Sequence, residues 1–194
     1  QFRMGNLYAR GLVVEQNMNI AVTWYRKAAE KNYAPAQYEL GVLYMDGRGI
    51  QQDYDQAMKW FQQSALQGNA FAQVGLGHLF TTGRGAKQDH AEAVKWFRSA
   101  AEQGNAIAQN YLGIMHARGW GVPQNDIEAI QWYRKSAAQG YAEAQHNLGY
   151  RYHNGLGVER DDAEAVKWYR WAAIQGYPKA QHDLGVMYAH GHGV

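Results

Sequence analysis

The amino-acid sequence predicts an all-α fold, a right-handed α/α superhelical solenoid of about five and a half helix-loop-helix units carrying eleven helices. Three observations lead there. Sliding the chain along itself by 36 residues superposes Gly41 on Gly77, Gly113, Gly149 and Gly185, and Trp60 on Trp24, Trp96, Trp132 and Trp168. No insertion or deletion interrupts that register. Each period holds two amphipathic segments at helical spacing, and paired glycines separate them. A unit of this size buries its apolar face only by stacking on its neighbours, so one domain over residues 1–194 with a continuous core is expected.

Within one period, Pro35 to Asp46 sets Ala36, Leu40, Gly41, Leu43 and Tyr44 on one side of a first helix. Gly41 there costs roughly 1 kcal/mol relative to Ala, so its return in every unit implies a close approach by another helix. The partner is the second helix, Tyr54 to Gln67, whose stripe is Ala57, Met58, Trp60, Phe61, Ser64 and Ala65. Small residues on both helices would let the backbones meet. Asp53 with Gln56, Asp89 with Glu92, Asn125 with Glu128 and Asp161 with Glu164 repeat a capping-box pattern at its start. Gly68, Gly104, Gly140 and Gly176 stop it as left-handed caps. Gly47 and Gly49, and their counterparts, punctuate the connecting loop as turn residues; no strand precedes them, so they do not read as a phosphate cradle. First helices begin near residues 1, 34, 70, 106, 142 and 178, and second helices near 18, 54, 90, 126 and 162. The first unit departs most, with Val13 at the second loop glycine and Ile20 at the capping-box acid. Leu184, Val186, Met187 and Tyr188 lie on a final first helix with no second helix after it, so the chain is expected to be a segment of a longer protein. Open apolar ends would also permit end-to-end self-association.

Composition excludes more than it identifies. No apolar run reaches the length of about 18 residues that suggests a transmembrane helix. Nineteen basic against seventeen acidic side chains leave no strongly basic face, so nucleic acid is not an expected partner. Cysteine is absent, which excludes a disulfide framework and thiol chemistry and fits either redox compartment. Localisation stays open: periplasmic or secreted if a signal peptide has been removed, cytoplasmic otherwise.

The recurring pattern AQYELGVLYMDGRGIQQDYDQAMKWFQQSALQGNA closely resembles the Sel1-like repeat, a relative of the tetratricopeptide repeat with a longer glycine loop. The likeness runs through five full periods. Tetratricopeptide repeats share the logic of Leu40, Gly41, Tyr44 and Ala57 but recur at about 34 residues. The resemblance implies a protein-interaction scaffold, often bacterial and often linked to the cell envelope or to host contact. A cysteine-rich branch of the family includes penicillin-binding hydrolases; the lack of Cys argues against that branch, and weak hydrolysis or binding of cell-wall or β-lactam-like ligands is kept as the alternative function.

A repeat supplies its own comparison: recurring positions hold the solenoid, and varying ones are free to serve a partner. On the first helix, Tyr38, Val42 and Met45 vary and share one face at i, i+4 and i+7. They are expected to line the concave surface. The same slots, with the one preceding them, hold Phe71 and His78, then Asn110 and Ile114, then His146, Tyr150 and His153, then His182. Aromatic and aliphatic anchors with scattered polar donors suit a peptide groove. The competing reading is the partly buried flank of a tightly wound superhelix. His146, His153 and His182 are close enough in pattern to converge, but their spacing is looser than a helical metal pair and only Glu143 offers a nearby carboxylate, so no metal or other cofactor is expected. No catalytic residue is expected either. Ser64 and Ser136 occupy a small-residue slot, Ser99 lies on a polar side, and no nucleophile stands by a His and a carboxylate. The five tryptophans in register, each followed by Phe or Tyr, read as core and layer-to-layer packing. Lys59, Lys95 and Lys167, interleaved with Glu92, Glu128 and Glu164, read as a solvated face. The expectation is a non-enzymatic adaptor for a protein or peptide.

Overall fold

The computed structural model describes residues 1–11 and 13–193. Among them the regular elements are eleven helices and no strand: α1 Phe2–Arg10, α2 Met18–Ala29, α3 Ala34–Asp46, α4 Tyr54–Leu66, α5 Ala70–Thr82, α6 His90–Glu102, α7 Ala106–Arg118, α8 Asp126–Ala138, α9 Ala142–Asn154, α10 Asp162–Ile174 and α11 Pro178–His190. Odd-numbered helices are the first helices of the repeats and even-numbered ones the second. Spatial contacts gather the chain into two compact units, Gln1–Ala100 and Ala101–Val194.

Each hairpin is locked by an aromatic ring set on a glycine. A Cβ built on Gly41 would stand 2.6 Å from the Phe61 ring, and one on Gly113 would stand 2.5 Å from the Tyr133 ring. The residue after each repeated tryptophan therefore carries the hairpin, and these rings are buried almost completely. The expected contact between small residues is replaced by ring against backbone, which buries far more apolar area per residue. The five tryptophans in register are half-buried. Trp60 packs on the α2–α3 core, Trp96 on the α4–α5 core and Trp168 on the α8–α9 core, so each joins its hairpin to the one before.

Helix starts are capped by half of the expected box. The side chains of Asn17, Asp53, Asp89, Asn125 and Asp161 accept from the backbone N–H three residues on, at 2.8–3.1 Å. The cap residue's own N–H goes elsewhere: that of Asp53 donates to the Tyr44 carbonyl and that of Asp161 to the Tyr152 carbonyl. The reciprocal acid is thereby released, and Glu92 and Glu164 pair with Lys95 and Lys167 instead. Gly68, Gly104, Gly140 and Gly176 all have positive φ, as expected, and Asn32 takes the same role in the first repeat at φ 60°. The second loop glycine has a packing duty as well. Gly49 lies so close to the start of α2 that a Cβ would meet Met18 at 2.5 Å, and Gly157 approaches Asp126 in the same way.

A glutamine at the fourth position of each odd helix from α3 to α11 joins it to the preceding even helix. Gln37 donates to the Ala29 carbonyl, Gln73 to Ala65, Gln109 to Ala101 and Gln145 to Ala137, each at 3.2–3.3 Å. Gln67, Gln139 and Gln175 then donate to the side-chain oxygens of Gln37, Gln109 and Gln145. These buried amides satisfy helix-end carbonyls that would otherwise lack partners.

Candidate functional site

In the first unit the varying slots are more deeply set than an open groove would be. Tyr38, Val42 and Met45 on α3 are half-buried against the α4–α5 core, and the Tyr38 ring lies 6.0 Å from Phe61 and 5.9 Å from Phe71. Phe71, at the start of α5, is 54% exposed and forms the free edge of this aromatic group. His78 is half-buried on α5; burial, aided by the Arg84 cation, holds its pKa below the ordinary imidazole value. Phe2 packs edge-on to Tyr33 at 5.2 Å and lies 5.7 Å from Tyr25, whose hydroxyl donates to Asn6. Glu39 belongs to the same region: burial raises its pKa, and Arg10 and Arg48 oppose that shift. Its slot holds Arg3, Glu39, Gly75, Tyr111, Asn147 and Asp183 along the chain and varies more than any singled out above.

The second unit gathers most of its predicted residues around three pockets. His146 and His182 share one with Pro178, Lys179 and Asp183. His146 Nε2 lies 2.8 Å from Asp183 Oδ2, with the ring tilted against those of Tyr169 and Tyr177. Tyr150 and His153 border a second pocket of about 270 Å³ with Tyr169, Asp183 and Met187. His153 Nδ1 faces Asp162 at 2.7 Å, so His146 and His153 are held by different carboxylates. Among the described residues no group of His, Cys, Asp and Glu is arranged to hold a metal ion. Asn110 departs from expectation. It is wholly buried, its oxygen accepting from Asn147 on α9, so it supports the face from behind rather than forming it.

The third pocket, about 320 Å³, is the most polar. Ile114, Ala117 and Tyr150 give it apolar wall, while Arg118, Arg151 and Lys179 bring cations and Glu143 a carboxylate. Ile114 is half-buried on the α8–α9 core, and Tyr150 is 48% exposed. Arg151 is absent from the expectations above, yet its slot holds Leu7, Leu43, Leu79, Met115 and Met187 in the other repeats. Its guanidinium is paired with Asp126 at the start of α8 and lies 5.9 Å over the Tyr133 ring. Burial pushes the Tyr133 hydroxyl up to about 12, against the pull of Arg151 and Arg118. The signal that finds Arg151 is a charge in an otherwise apolar slot.

The Ser64 and Ser136 hydroxyls are buried and donate to the Ala34 and Ala106 carbonyls. No helix among the described residues is long and apolar enough to cross a membrane.

The Sel1 repeat family model matches residues 1–33, 34–69, 70–105, 106–141, 142–177 and 178–194, with breaks where the odd helices begin. The chain belongs to the Sel1 repeat family. Sel1 repeats serve in general as protein-interaction modules, and their proteins are in general non-enzymatic scaffolds. The Sel1 chain is 44% identical to c5321 of uropathogenic Escherichia coli, a protective antigen with this fold, over 100% of its own length and 41% of that chain, with a TM-score of 0.90. It is 37% identical to a Sel1 repeat protein of Oxalobacter formigenes, over 98% of its length and 76% of that chain, with a TM-score of 0.93. Cysteine-rich protein B of Helicobacter pylori shares the fold at 21% identity and a TM-score of 0.55, over 69% of the Sel1 chain and 96% of that chain. No curated protein matches the Sel1 chain.

Proposed function

We propose that the chain is a non-enzymatic adaptor whose odd-numbered helices hold a peptide segment of another protein. The observation that carries this reading is the coincidence of variation with cavity. In the second unit, Ile114, His146, Tyr150, His153 and His182 occupy slots that change from repeat to repeat, and the same five side chains line the three adjoining pockets. The glycines, rings and glutamines of the framework recur almost unchanged, so selection for stacking does not account for the variation. Phe71 and Tyr150, each about half exposed, supply apolar anchors of the kind that dominate peptide interfaces. The polar groups between them fix register.

The test compares affinity capture from cell extract by the wild-type chain and by a Phe71→Ala, Tyr150→Ala variant of unchanged helicity. Both side chains are exposed enough that truncation leaves the core intact. A protein retained by the first and lost by the second is the expected result. Equal retention would move the working surface to the even helices.

A further inference from the structure

We propose that the third pocket of the second unit receives the carboxylate of an acidic peptide segment; this rests on the docking reading above and adds the chemistry of the docked group. Three observations support it. The pocket is built around Arg151, a buried cation in a slot that is Leu or Met in every other repeat. A charge there is no requirement of stacking, as Leu43, Leu79, Met115 and Met187 show by being buried in its place. Arg151 is matched by Asp126, which leaves Arg118 and Lys179 facing the cavity against Glu143 alone. Neither Arg118 nor Lys179 has an ion-pair partner among the described residues; Arg118 lies over the Trp120 ring, with its guanidinium carbon 4.6 Å from the centroid.

The excess is therefore a single positive charge, which complements a monoanion. A phosphate dianion would meet the Glu143 carboxylate without enough cation to offset it. Glu143, which accepts from the Tyr141 hydroxyl, and Asn147 can also receive or supply hydrogen bonds to a peptide backbone. Ile114 and Tyr150 offer apolar contact to the residues flanking the acid, so the fitted ligand is an acidic segment with neighbouring apolar side chains.

The test selects binders to the whole chain from random peptides displayed on phage. Selected sequences are expected to be enriched in Asp or Glu over the starting library. A synthetic copy of one such peptide should bind an Arg118→Gln, Lys179→Gln variant about tenfold more weakly by fluorescence anisotropy. Changing the peptide's acid to the amide should cause the same loss, and the two changes together should cost little more than either alone. Both lysine and arginine are exposed, so the variant keeps its fold, which circular dichroism checks. Copies with free and amidated C-termini separate a terminal carboxylate from a side-chain one; preference for either supports the inference. Peptides selected without acidic enrichment and bound equally by the variant would overturn it while leaving docking on the odd helices standing. Failure to select any peptide would count against both. Displacement of the acidic peptide by inorganic phosphate at lower concentration than by acetate would overturn the choice of carboxylate.

Discussion

At the scale of single residues, the fold depends on side chains chosen for what they do not occupy. Gly41, Gly77, Gly113 and Gly149 leave room for one buried ring each, from Phe61, Phe97, Tyr133 and Tyr169. Helix propensity alone favours Ala over Gly by about 1 kcal/mol, so the structure separates two effects that usually act together. Gly41→Ala is predicted to destabilise the chain by about 1–3 kcal/mol, because the methyl group meets the Phe61 ring and the packed core cannot yield. Gly185→Ala is the control. Nothing lies within 4 Å of a Cβ at Gly185, so that change should be neutral or stabilising by up to about 1 kcal/mol. Urea denaturation of the two variants checks both signs. The need for a close approach at Gly41 is legible in the sequence, because glycine in mid-helix demands a reason. That the visitor is the Phe61 ring is not, since a buried aromatic and a buried aliphatic residue leave the same mark on helical periodicity. The glutamine bridges are not legible for a related reason: Gln37 and its counterparts carry no charge and mark no turn, and only the packed structure shows that they bridge two helices.

At the scale of helices, the starts and stops were legible because their chemistry is local. A cap residue, a left-handed glycine and a helical stripe each act within a few positions. The caps nevertheless work as single bonds rather than reciprocal boxes, which gives a testable asymmetry. Asp53→Ala is predicted to cost about 1 kcal/mol, and Gln56→Ala close to nothing, as read by thermal unfolding. The Arg151–Asp126 pair between α8 and α9 was not legible, because it depends on two helices meeting and on comparing a core slot rather than a variable one. Asp126→Ala is predicted to destabilise by about 3 kcal/mol, because it strands a buried guanidinium. Placing the residues of sister repeats there, Arg151→Met with Asp126→Tyr, should restore stability or raise it by about 1–2 kcal/mol, measured by denaturant unfolding. If the double variant is instead as unstable as the single one, the pair is a structural necessity rather than a feature retained for binding.

At the scale of the whole molecule, a nearly invariant framework carries faces that differ. The first unit presents aromatic rings around Tyr38 and Phe71, and the second presents histidines, cations and carboxylates around Tyr150. The repeat period made the framework legible and nominated the varying slots, but it could not rank them by depth. Asn110 and Tyr38 look alike as variable positions, and only the packing of the adjacent helix shows that the first is sealed and the second half open. The measurement that tests the central claim most directly is hydroxyl-radical footprinting of the chain with and without a bound peptide from the phage selection. Exposed apolar side chains exist on both helix sets: Phe71 and Tyr150 on odd helices, and Ile127, Trp171 and Ile174 on even ones. Docking on the odd helices predicts that oxidation of Phe71 or Tyr150 falls on binding while Ile127, Trp171 and Ile174 are oxidised as before. Protection of Trp171 and Ile174, with Phe71 and Tyr150 unchanged, would contradict it.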